Sequence, residues 1–136
     1  MATVPLITDD AASAEVLAVF DDIRATRGSD FINNFWRALA VDSALLKATW
    51  ERLKVVMGPG DLDPLVKEML YMAVSITNGC DYCIHSHTAA ARAKGMTDTQ
   101  YGELMAVIGM AAQTNQLVTA MKVPVDEVFL VQSDKT

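Results

Sequence analysis

Only two cysteines, Cys80 and Cys83, occur in this chain of 136 residues, and no run of five basic residues occurs anywhere. Two cysteines are too few for the disulfide framework that staples small secreted scaffolds. With a net charge of −6 and a pI near 4.7, the chain offers no basic patch for a phosphate backbone, and nucleic acid is excluded as a partner. Long hydrophobic runs are also missing. The longest uncharged stretch, Leu104 to Met121, contains Gln113, Thr114, Asn115 and Gln116, which are costly in hydrocarbon, so an amphipathic helix explains it better than a membrane span. Met1-Ala2-Thr3-Val4-Pro5 lacks the basic region and apolar run of a signal peptide. We therefore expect a cytoplasmic protein, in which a close cysteine pair is more often catalytic or metal-binding than structural. No internal repeat, low-complexity tract or linker interrupts the chain, which reads as one domain over residues 1–136.

What is present is enough apolar material for a core: 51% of residues are hydrophobic and 21% charged. Almost every segment carries helical periodicity, and the fold class is all-α, a bundle of about six helices. Val16, Phe20 and Ile23 share the face of a first helix that Gly28 ends, and Ile32, Phe35, Trp36 and Leu39 form a second face. Leu46, Trp50, Leu53 and Met57 stripe a third helix, capped by Asp42 or Ser43 and closed by Gly58-Pro59-Gly60. Asp63-Pro64 starts a fourth, which runs to about Asn78-Gly79. A fifth begins near Cys80 and ends at Gly95. Thr97 to Gln100 is a capping box, with Met96 and Tyr101 placed as a hydrophobic staple, for a long sixth helix over about Asp98 to Met121. Val128 to Gln132 can be extended. The apolar load predicts that Trp36, Trp50 and the Met-rich sixth helix are buried, partly between subunits.

The chemistry concentrates at the two cysteines. Placed at random, two cysteines fall three apart only about 1.4% of the time, so the spacing carries meaning. At a helix start, exposed N–H groups and the helix dipole favour thiolate over thiol, and a thiolate attacks peroxides and disulfides. The second cysteine can then close onto the first and prevent over-oxidation. His87, four residues beyond Cys83 and seven beyond Cys80, lies on the same helical face and can take the thiol proton. His85 points away from that face, over Asp81, and a surface pair is its expected role. Glu68 interrupts an apolar stretch on the preceding helix. Reversal of the chain at Asn78-Gly79 would bring it to His87, and a partly apolar cleft there is expected to raise its proton affinity.

Glu68, Cys80-Asp81-Tyr82-Cys83, His87 and Gly95, with the stretch from Asn78 to Thr88, resemble the carboxymuconolactone decarboxylase and AhpD-like alkylhydroperoxidase family. The resemblance covers roughly Leu62 to Gly95. It implies an all-helical fold assembling as trimers, hexamers or other homo-oligomers, with a small peroxide as substrate, a thiol as reductant and no cofactor. It also implies Cys83 as the thiol that attacks peroxide, Cys80 as the resolving thiol, and Glu68 and His87 as a proton relay. The best-known AhpD proteins have a histidine just before the second cysteine. Here that position is Tyr82, an accessory hydroxyl that can donate a hydrogen bond but is a poor base near neutral pH. The family's decarboxylases lack the cysteine pair, which favours redox chemistry here. Two alternatives remain at this point: a zinc module with Cys80, Cys83, His87 and Glu68 as ligands, and a decarboxylase-like or structural helical oligomer without redox function.

Overall fold

The computed structural model describes residues 1–130. Among these the chain forms six α-helices, two 3-10 turns (Asp9–Ala11 and Glu127–Phe129) and no strand, so the fold is all-α as the periodicity predicts. The chain divides into two compact units, Met1–Pro64 and a second beginning at Leu65.

The first unit holds α1 (Ala14–Arg27), α2 (Asn34–Leu39) and α3 (Ser43–Met57). Each begins or ends where its local chemistry dictates. Ser13 caps α1 by accepting the Val16 N–H, and Gly28 closes it in the left-handed conformation. Of the two candidate caps for α3, Asp42 is the one used: it accepts the N–H groups of Ala44 and Leu45, both at 3.0 Å. The predicted faces converge on one core of Val16, Phe20, Ile23, Ile32, Trp36, Leu46 and Trp50, while Phe35 stays exposed. Full burial of side chains this size contributes about 2 kcal/mol each. The indoles of Trp36 and Trp50 meet edge to face at 5.4 Å. Trp50 keeps its polar end satisfied by donating from Nε1 to Asp22 at 2.6 Å.

The second unit holds α4 (Pro64–Asn78), α5 (Asp81–Ala93) and α6 (Asp98–Met121). Proline at the first position of α4 costs nothing, because that N–H has no partner within the helix. The turn between α4 and α5 is a Schellman motif: Cys80 N–H reaches the Ser75 carbonyl at 3.0 Å, and Gly79 N–H reaches Ile76 at 3.1 Å. It requires positive φ, and Gly79 supplies it at +66°. Between α5 and α6 the same motif recurs with Gly95. The capping box then forms as expected: Thr97 N–H donates to Gln100 Oε1 at 2.9 Å, and Gln100 N–H to Thr97 Oγ1 at 3.1 Å. Met96 is buried with Met72 and Ala91, and Tyr101 packs against this cluster, consistent with the staple.

Burial of the sixth helix does not arise within the single chain, and an expected extended segment does not begin as one. The sixth helix has no buried residue within the described chain, and Val107, Met110, Leu117, Val118 and Met121 are exposed. Tyr101, Leu104 and Met105 pack against the Met72 cluster, while Val107, Met110, Leu117 and Met121 line a separate, exposed face. The proposed extension after Val128 does not begin as one: Glu127–Phe129 is a 3-10 turn, while Val131 and Gln132 lie outside the described residues.

Candidate functional site

The Gly79 turn folds α5 back along α4, and this reversal builds the site. Glu68, in the second turn of α4, is only 5% exposed. An isolated carboxylate at that depth would be strongly disfavoured. It is compensated on both oxygens: His87 Nδ1 lies 2.7 Å from Oε2, and Lys94 Nζ lies 3.0 Å from Oε1. Burial is the largest single influence on Glu68 and pushes its proton affinity up. Hydrogen bonds from His87 and Lys94, aided by the charge of Lys94 and then of His87, together outweigh burial and hold the carboxyl below the usual range. This corrects the expected direction. The cleft is not merely apolar, because Lys94 stands in it.

Tyr71, one turn beyond Glu68 on α4, stacks on the His87 ring with centroids 3.6 Å apart and planes 19° from parallel. The ring is thereby held on one face by aromatic contact and at one nitrogen by a carboxylate. With the proton on Nδ1 and directed to Glu68, Nε2 is left as an acceptor. Burial, then the charges of Cys83, Cys80 and Glu68, raise the Tyr71 phenol, so it stays protonated near neutral pH.

Cys80 occupies the N-cap position of α5, and its Sγ accepts the Cys83 N–H at 3.4 Å. A sulfur in this position receives the helix's unsatisfied donors and the positive end of its dipole. Both cysteines are half-buried free thiols. Burial pushes the Cys83 thiol up to about 11, with the hydrogen bond and charge of Cys80 acting in the same direction. The thiol form of Cys83 is therefore favoured at neutral pH, and a neighbouring base would assist its ionisation.

The sequence-predicted residues Glu68, Cys80, Cys83 and His87 all lie on this one hairpin, and the carboxylate and imidazole meet. Tyr82 is 45% exposed. His85 is exposed as predicted, but no ion pair joins it to Asp81 among the described residues. Sequence reasoning missed Lys94 and Tyr71. The signal for Tyr71 was its place three residues from Glu68, on the same side of α4. Lys94, beside the helix-ending Gly95, reads first as a cation at a helix C-terminus. No group of three or more His, Cys, Asp or Glu side chains is arranged to hold a metal ion among the described residues.

Comparison with known proteins places this hairpin in context. A family model described as carboxymuconolactone decarboxylase matches residues 43–126. An alkyl hydroperoxide reductase AhpD from Maricaulis maris is 36% identical over 70 residues, 52% of this chain and 38% of that protein. The chain thus spans well under half the length of that relative. Uncharacterized protein 4 in the cox locus of Paracoccus denitrificans is 33% identical over 93 residues, 68% of this chain and 78% of that one. The crystal structure of an alkylhydroperoxidase AhpD core from Rhodospirillum rubrum is 67% identical, with a TM-score of 0.94, covering 97% of this chain and 99% of that one. The model match across α3 to α6 and the full-length structural likeness agree: this chain belongs to the carboxymuconolactone decarboxylase family and has the fold of an AhpD core.

Proposed function

We propose that the protein is a thiol-dependent hydroperoxide reductase in which Cys83 attacks, Cys80 resolves, and Glu68 and His87 move the proton. The observation that carries this reading is the 2.7 Å contact between His87 Nδ1 and Glu68 Oε2, on the same hairpin as the cysteine pair. Glu68 fixes the Nδ1 proton, and Nε2, directly or through one water, accepts the Cys83 thiol proton. The thiolate then attacks the peroxide O–O bond. Sulfur gains one oxygen as sulfenic acid, and the alkoxide takes a proton from the imidazolium and leaves as an alcohol. Cys80 displaces hydroxide from that sulfur, which departs as water, and the disulfide forms. A dithiol reductant restores both thiols by exchange. The names of the AhpD relatives support the substrate class.

A second reading, a disulfide oxidoreductase with Cys80 as nucleophile, is favoured by the N-cap position of its sulfur. In either case the reductant belongs to a reducing compartment, and we place the protein in the cytoplasm. No helix among the described residues is long and apolar enough to cross a membrane. The family match runs across the boundary at Leu65, which supports treating residues 1–136 as one functional domain. The exposed apolar face of α6 supports a homo-oligomer, and the family resemblance suggests a trimer or hexamer.

The test is mass analysis after one equivalent of alkyl hydroperoxide. The proposal requires an intramolecular Cys80–Cys83 disulfide, one equivalent of alcohol, and full reversal by a dithiol. Persistence of both free thiols would contradict it.

A further inference from the structure

The proposed relay leaves one member of the cluster unused. Lys94 Nζ sits 3.0 Å from Glu68 Oε1, on the oxygen opposite the one facing His87. Glu68 thus stands between two nitrogens, the Lys94 ammonium and the His87 imidazole. The groups facing this carboxylate are His87 on α5, Lys94 at its end, and, along α4, Tyr71, which stacks on the imidazole. The neighbouring cation, Arg92, is engaged elsewhere, by Asp98 at 2.8 Å and the Met96 carbonyl at 3.0 Å, and does not substitute for Lys94.

We propose that Lys94 is a positioning residue: its ammonium orients Glu68 and offsets part of the carboxylate charge, so that His87 is held in place yet remains neutral and able to accept a proton. A buried carboxylate beside an imidazole tends to draw a proton onto the pair, and a protonated imidazole cannot serve as base. A second cation on the same carboxylate opposes that uptake. The Glu68–His87 pair then takes up its extra proton at a lower pH than it would without Lys94. This inference rests on the reading of His87 as the base of the cysteine site.

The test follows the His87 ring by NMR during a pH titration of the full chain, with His85→Gln removing the other imidazole. Lys94→Met should move the protonation of the pair up by about one pH unit, and Lys94→Arg should restore it. The acid limb of Cys83 oxidation by hydrogen peroxide should move by the same amount, about a tenfold loss of rate at a fixed pH on that limb. Lys94 is 38% exposed along its side chain, and Lys94→Gln provides the same comparison should the methionine variant fold poorly. A purely structural lysine would lower stability and leave the titration unmoved. Coincident titrations in wild type and Lys94→Met would overturn the proposal. A shifted titration in a protein whose Cys83 never reacts with peroxide would uphold the role of Lys94 and reject the reductase reading.

Discussion

His87 Nδ1 and Glu68 Oε2 lie 2.7 Å apart although nineteen positions separate the residues in sequence. On one straight helix that separation would be roughly 28 Å at 1.5 Å per residue. The Gly79 turn converts it into a hydrogen bond. Glu68→Gln keeps the shape of the side chain but removes its charge. Thiol oxidation by peroxide should fall at least about tenfold, within the span of general acid–base effects. Circular dichroism should still show a folded helical protein.

The same pair has a signature in acid. Glu68 is held below the usual carboxylate range in the folded chain. Its ionised form therefore stabilises the fold at pH values above the ordinary glutamate range, and that contribution is lost as pH falls through the lower folded value. Denaturant melts of wild type should lose stability through this window. Glu68→Gln should show a flatter profile there, and an unchanged slope would mean that the carboxylate is not ionised in the native state.

The two thiols should separate chemically. With burial pushing Cys83 up to about 11 in the native chain, base assistance by His87 should make its alkylation at neutral pH faster in wild type than in His87→Gln. After brief peroxide exposure, Cys80→Ser should retain a trappable sulfenic acid at Cys83. Labelling of Cys80 in Cys83→Ser, with none in Cys80→Ser, would reverse the roles and favour the N-cap sulfur as nucleophile.

Gly79 offers a purely conformational test. A Cβ built there meets nothing within 4 Å, so Gly79→Ala introduces no clash, only the strain of an alanine at φ of +66°. The expected cost is about 1–2 kcal/mol by chemical denaturation. A cost near zero would show that the turn does not depend on the left-handed conformation.

The parts of the fold that were readable from sequence are those decided by neighbouring residues. The Thr97–Gln100 box, the Asp42 cap and the glycine turns at positions 79 and 95 each satisfy local backbone donors or acceptors, and each formed where the residues stood. Glu68 meeting His87 followed from symmetry about the turn. Lys94 escaped because side-chain reach across a hairpin leaves no periodic mark, whereas Tyr71 was signalled by its place three residues from Glu68 and was overlooked. Missing Lys94 left out one of the two partners that together hold Glu68 down against burial. The sixth helix is a different case: it is expected to be covered partly by another subunit, and hydrophobic periodicity does not say which chain covers a surface.

That surface yields its own prediction. Val107, Met110, Leu117 and Met121 recur at spacings of three, seven and four along α6, a stripe suited to a facing helix, and all are exposed in the single chain. Light scattering should report a multiple of 14.7 kDa at micromolar protein. Met110→Asp should lower that mass by placing a charge in the contact. A wild-type mass of one chain would refute assembly through this face.

The most direct measurement is steady-state consumption of an alkyl hydroperoxide with a dithiol as reductant, comparing wild type with Cys83→Ser. Wild type should consume peroxide in proportion to dithiol oxidised, one for one, and Cys83→Ser should fall to the uncatalysed background. Equal rates in the two proteins, or no consumption by wild type, would contradict the assignment of this chain as a hydroperoxide reductase working through Cys83.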